Sequence, residues 1–288
     1  MRIRVGCEFV HKASGPTPAI WQVRPRPDGP VGLVSSLWES TPPLSTTSYL
    51  DAFGNVCDRL VLPEGHSVVR FDATAEVSGQ PDPVDLYAAQ VPVEALPDDA
   101  LVYLLPTRFC LSDVLHDQAW DLFGGTVPGW ARVQAVSDWV HANVTFDYQN
   151  TSPVTTACDV WGSRTGVCRD FAHLGVTFCR ALNIPARYVF GYLPDIAVPA
   201  PEHPMDFCAW MEVYLGDRWW TFDPRNNQRR IGRVLIGRGR DAVDVAMLTT
   251  YGATILDSMT VWADEVGAPS GPVDGLAHVP EGGGQGGT

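Results

Sequence analysis

Residues 163–193 read SRTGVCRDFAHLGVTFCRALNIPARYVFGYL. Phe171, Leu174, Phe178 and Leu182 recur every three or four positions, so the segment after Gly166 is expected to form a helix with one buried stripe. Pro185 ends it, and Arg187–Leu193 follows as a strand. Cys168 falls in the first turn of that helix. A helix N-terminus carries partial positive charge and unpaired N–H groups, which favour a thiolate over a thiol and can support an oxyanion. Taken singly, a cysteine at a helix start is more often structural than reactive. Cys179, inside the apolar stripe, reads as core.

On the C-terminal side, residues 206–227, DFCAWMEVYLGDRWWTFDPRNN, read as a hairpin turned at Gly216-Asp217. That turn predicts Leu215 opposite Arg218, Met211 opposite Phe222 and Trp210 opposite Asp223. Side chains alternate faces, so Cys208, Trp210 and Glu212 share one with Thr221 and Asp223. Cys208 and Asp223 are then diagonal neighbours, ~7–8 Å apart. A group at 208 with an orienting carboxylate at 223 is the layout that a nucleophile, base and orienter need.

On the N-terminal side, Ser112 is expected to cap a helix running to about Phe123, and Pro128 to open a second, striped by Trp130, Val133, Val136, Val140 and Val144. The first hundred residues alternate with period two instead. Ile3, Val5, Cys7 and Phe9 face one way, as do Val69, Phe71, Ala73, Ala75 and Val77. Gly54-Asn55, between Tyr49–Phe53 and Val56–Leu62, predicts a two-residue hairpin. The expected fold class is α+β: a mainly β, sandwich-like domain over 1–105, a core over 106–265, and a disordered Gly/Pro-rich tail over 266–288.

Residues from about 112 to 262 resemble the bacterial transglutaminase-like family of cysteine proteases, in the papain-like superfamily. The resemblance is carried by GVCRDFAHL, CRALNIPARYVFGYL, AWMEVYL and WWTFDPRNN, and continues through RIGRVLIGRGRDAVDVAM. DAFGNV and the β region around it are similar to that family's leading domain. The resemblance implies a papain-like core and a Cys-His-Asp triad, with the nucleophile at Cys168 and the carboxylate at Asp223. The base of that family begins a His-Ala-Trp strand, and here the strand reads Cys208-Ala209-Trp210. A thiol with a free pKa near ~8.5 is a poor base at neutral pH, whereas imidazole is a good one.

Three readings stay open: acyl transfer at amide or peptide bonds with a substitute base or none, a catalytically inactive binding or scaffold protein, and a redox or metal-binding pair of thiols at 168 and 208. His203 and His173 are the candidate substitute bases. His173 lies five residues past Cys168, roughly 140° round the helix from it, and reads as a core or supporting residue. Arg225, Arg229, Arg230, Arg233, Arg238 and Arg240 crowd a short stretch. They could hold a substrate carboxylate or phosphate, though salt bridges to local aspartates are favoured. Trp161 and Tyr148 could line the site, and Gln285 is a weak acyl-donor candidate.

The chain has 288 residues and a formal net charge of −13. A polyanion is repelled by nucleic acid and by anionic lipid, so neither is expected as a partner. No cofactor is implied. Seven cysteines without paired spacing read as free thiols. The opening residues lack the continuous apolar core of a signal peptide, so a cytoplasmic protein is expected. Oligomeric state is not legible.

Overall fold

A computed structural model describes residues 1–29, 31–199 and 203–267. The alternating start of the chain forms six strands: β1 (Arg2–Ala13), β2 (Thr17–Trp21), β3 (Gly32–Thr41), β4 (Thr47–Leu50), β5 (Val56–Leu62) and β6 (Gly65–Glu76). Helices then enter: α1 (Asp98–Leu101), α2 (His116–Phe123) and α3 (Trp130–Asn143). They are followed by β7 (Thr145–Phe146), α4 (Ala157–Ser163), β8 (Thr165–Gly166) and α5 (Cys168–Ala181). The chain continues through β9 (Ala186–Tyr192), β10 (Cys208–Leu215), β11 (Arg218–Phe222), β12 (Val234–Gly239), β13 (Leu248–Thr250) and β14 (Thr254–Glu265). The fold is α+β. No described helix is long and apolar enough to cross a membrane.

Two four-stranded sheets, ordered β14-β1-β6-β3 and β13-β2-β5-β4, make the β unit. The residues that alternation assigned to the interior of β1 and β6 are buried, and Trp21 of β2 with Leu60 and Leu62 of β5 completes that core. Two details differ from expectation. The strands around Gly54-Asn55 part at Leu50 and Val56, so the loop spans 51–55. The Asp51 carboxylate closes it by accepting from the Phe53 and Asn55 N–H groups, each at 2.8 Å; side-chain bonds to the backbone do what a tighter turn would do. The expected core of 106–265 is also cut short. β13 pairs with β2, and β14 pairs with β1 from Ile3↔Glu265 to Ala13↔Thr254. Alternation marks a strand but does not name its partner. The expected tail lies outside the described residues apart from Val266 and Gly267.

The core sheet runs β11-β10-β9-β12, all antiparallel. Gly216 takes φ +65, which a tight β10–β11 turn demands and only glycine adopts freely. The register is Leu215↔Arg218 and Met211↔Phe222. α5 is the hub, with every residue from Asp170 to Ala181 buried. Phe171, Leu174 and Phe178 share one core with Val133, Val136 and Val140 of α3 and with Met211 and Val213 of β10. Each such side chain contributes ~1.5–3 kcal/mol when fully buried. Ala172, Tyr188, Phe190 and Phe207 join the interior of the β unit, so the two units pack as one body. α2 starts at His116, after Leu115, and Ser112 does not cap it.

Candidate active site

Cys168 is the first residue of α5 and is half-buried. The approach to it is fixed by Gly166, where a Cβ would stand 2.6 Å from Cβ of Asp170. Asp170 is wholly buried and accepts from Val167 N–H at 2.9 Å, Thr151 Oγ1 at 2.6 Å and Arg169 Nη2 at 2.7 Å. A carboxylate at the third helical position that reaches back to the N-cap amide closes the first turn and suits the helix dipole.

β10 begins at Cys208 and brings its thiol onto Cys168, beside Trp210, Val189 and Leu235. Contact with the Cys208 thiol is the leading reason that the Cys168 thiol is held below its ordinary range, while the Cys208 S–H itself donates to the Ala209 carbonyl at 3.7 Å. The charge of Arg225 and the Ala209 N–H act the same way; burial and the charge of Asp206 oppose them. The same contact, then burial and the charges of Cys168 and Asp223, pushes Cys208 well up. Of the two thiols, Cys168 is therefore the one that gives up its proton more readily. Cys208 stabilises a thiolate there, but it is no base at neutral pH. Cys168 Sγ also lies 3.9 Å from the Phe207 carbonyl oxygen.

Cys168 differs in this from the other six cysteines. Burial above all pushes Cys7 and Cys179 up to about 12 and Cys110 up to about 11. It also raises Cys57 and Cys158.

Asp223, just past β11, is buried and accepts from Asn226 N–H at 3.0 Å, Asn226 Nδ2 at 2.8 Å and Arg233 Nη2 at 2.9 Å. Among the described residues no hydrogen bond joins it to Cys208, on which it acts through charge alone. Arg233 also donates to Asp82 at 2.9 Å and lies over the Trp210 ring at 4.7 Å. A depression of about 510 Å³ between α3 and residues 82–86 reaches Asp223 and Asn227, but neither thiol lines it.

The candidate bases stand elsewhere in the bonding scheme. His173 is wholly buried; its Nε2 accepts from Ala242 N–H at 3.1 Å, and its ring stacks on Phe109 at 5.1 Å. Burial holds its pKa well below the usual value, so it is a neutral core residue. His203 is exposed and sits edge-on to Tyr148 at 5.7 Å. Tyr148 borders the thiols closely enough for the charges of Asp206 and Cys168 to join burial in raising its pKa. Trp161 packs on Trp139 in the helical core. Gln285 lies outside the described residues.

The arginine cluster divides. Arg230 pairs with Asp195, Arg233 with Asp82 and Asp223, Arg238 with Glu212 and Arg240 with Asp244. Arg229 donates to the Asp82 carbonyl. Arg225 alone of the six points its guanidinium at no hydrogen-bond or ion-pair partner among the described residues. It lies over the Phe146 ring at 4.2 Å. A residue missed by sequence reasoning is Asp206, half-buried, which accepts from Phe207 N–H at 2.7 Å and whose carboxyl pKa burial raises. It belongs to a loop, where no periodicity marks a side chain; its nearness to Cys208 in the chain was the only signal.

Residues 121–224 match the Transglutaminase-like superfamily. The crystal structure of a protein from Cytophaga hutchinsonii, described as a "Putative Cysteine Protease", superposes with a TM-score of 0.84 at 31% identity, covering 94% of this chain and 93% of that one. An uncharacterized protein of Mycobacterium tuberculosis is 28% identical over 225 residues, 72% of either chain. Another, from Mycobacterium leprae, is 34% identical over 133 residues, 43% of this chain and 47% of that one. The chain belongs to the transglutaminase-like superfamily.

Proposed function

We propose that this protein is a cysteine acyl-transfer enzyme acting on peptide-like amides through an acyl-thioester at Cys168. The observation that carries the reading is the lowered pKa of a half-exposed Cys168 when the other six thiols are held protonated. The thiolate attacks the carbonyl carbon and a C–S bond forms. The carbonyl oxygen takes the negative charge against the Cys168 and Arg169 N–H groups at the start of α5; the Asp170 N–H is already given to the Val167 carbonyl at 2.8 Å. Collapse then breaks the C–N bond, and the amine leaves with a proton. Cys208 is too weak an acid to give that proton. Asp206, a carboxyl with a raised pKa beside the thiols, is our candidate for it. Water or a second amine then takes the acyl group and frees Cys168. Asp223 supports the site through Arg233 and through its charge on Cys208. The substrate is a peptide or amide, and a net charge of −13 speaks against nucleic acid or an anionic membrane as partner.

The alternative is an inactive papain-fold binding protein. It draws on Asp223, whose carboxylate is already engaged by Asn226 and Arg233 and makes no hydrogen bond to Cys208 among the described residues. Timed iodoacetamide labelling at pH 7, read by peptide mass, separates the two. Labelling of Cys168 at about tenfold or more the rate of any other cysteine, with an acyl-enzyme formed from activated esters and absent in Cys168→Ser, is the expected result. Uniform labelling with no acyl-enzyme would leave the binding reading.

A further inference from the structure

Among the described residues Arg225 is a guanidinium with no hydrogen-bonded or ion-paired partner, in a protein rich in carboxylates. The chain carries 33 acidic side chains against 20 basic ones, and the other arginines of its cluster have all found a carboxylate or a carbonyl. Scarcity of acceptors therefore does not explain the vacancy. Arg225 is not loose either. Its carbonyl accepts from His141 Nδ1 at 2.8 Å, and its guanidinium is held over Phe146 at 4.2 Å. A guanidinium held over a ring can keep its fork of N–H donors available. Asp206 is a near carboxyl, and it accepts from Phe207 N–H. Phe146 packs in turn on Tyr148 at 5.0 Å and on Phe171 of α5 at 6.4 Å, one turn past Cys168, so a group bound to the Arg225 fork lies near the nucleophile.

We propose that Arg225 is the anion-binding residue of the cleft, and that the acyl compounds this protein acts on carry a carboxylate close to the carbonyl that Cys168 attacks. The inference rests on Cys168 as the nucleophile and narrows its substrates. A planar carboxylate matches the guanidinium fork with two parallel N–H···O bonds. Leaving a half-buried cation unpaired costs stability that such a ligand would return on binding.

Two electrophiles of nearly equal shape test this without a known substrate. Iodoacetate carries a carboxylate where iodoacetamide carries an amide. Their rate ratio at Cys168, divided by the same ratio for free cysteine at the same pH, cancels the thiolate population. The expected ratio favours iodoacetate about tenfold or more, in keeping with a charge-assisted hydrogen bond. Arg225→Gln should bring it back to one, and Arg225→Lys, which keeps the charge but loses the fork, should land between. A wild-type ratio near one, or a ratio unmoved in Arg225→Gln, overturns the proposal. The iodoacetamide rate alone reports the thiolate, so a slow Cys168 that still prefers iodoacetate would sink the enzyme reading and spare the carboxylate site.

Discussion

Behind the two thiols, Arg233 lies over Trp210 and donates to Asp223 and Asp82; in front of them, Arg225 lies over Phe146 and donates to nothing described. Both are guanidiniums on aromatic rings within reach of the same sulfurs. Arg233 is sealed in, and the carboxylates it faces raise its pKa against the cost of burial. Arg225 is half-buried, and its charge helps to lower the Cys168 pKa. The same pair of residue types thus builds a wall where carboxylates are supplied by the chain, and a vacancy where they are not.

The largest expected effect comes from changing what stands between wall and mouth. Cys208→His should speed acyl transfer by roughly 10²–10⁴, the usual worth of a general base, with the low end favoured because Asp223 already accepts from Arg233 and Asn226. Acyl-enzyme formation and turnover on an ester and peptide panel would read it; a folded variant with no gain would show that the imidazole is not what the site lacks. Arg233→Ala should cost ~3–5 kcal/mol in urea unfolding, since it leaves Asp223 and Asp82 facing each other unpaired. Arg225→Ala should cost under ~1 kcal/mol by the same measurement. Equal losses would erase the contrast.

Peroxide should tie the two thiols together. The Cys168 thiolate would be oxidised to a sulfenic acid as peroxide is reduced, and attack by Cys208 sulfur would form the S–S bond and release water. Iodoacetamide should then lose access to both cysteines at once, and dithiothreitol should restore both; Cys168 still freely alkylated after oxidation would remove this pairing. The smallest effect concerns pH. Because donors to the thiolate lower the Cys168 pKa, its alkylation midpoint should lie below the ~8.5 of a free thiol. Cys208→Ala removes the leading cause of the lowering, so the midpoint should move to higher pH. A midpoint that stays put would assign the lowering to Arg225 and the Ala209 amide.

Periodicity made much of this legible. The buried stripe of α5, the alternation in β1 and β6, and the β10–β11 register all follow from local spacing, which the chain carries in its own residues. The placing of Cys208 and Asp223 on one hairpin is a local consequence too, whereas Cys168 meets Cys208 only through the packing of α5 on the sheet. What escaped depends on partners distant in sequence. Asp82 reaches Arg233 from the segment after β6, and nothing near either residue announces the pair. The six arginines look alike as letters; only the fold separates five satisfied ones from Arg225. The need for glycine at 166 comes from the close passage of Asp170, which the fold alone shows.

The return of β14 to β1 has a consequence for synthesis. Arg4 is opposite Asp264, so one side of β1 waits for nearly the whole chain to be made. At ~5–20 residues per second the wait is roughly 10–50 s. During it β1 pairs only with β6, and a long alternating edge of N–H and C=O groups faces the cell, the kind of edge that joins other chains. The helix that carries Cys168 is completed first, before the last strand of the β unit exists. Ribosome-bound chains halted after Met247 should therefore show a protected α5 beside a β1 that proteases and aggregating neighbours can still reach, and the final strand acts as the clasp that ends that exposure.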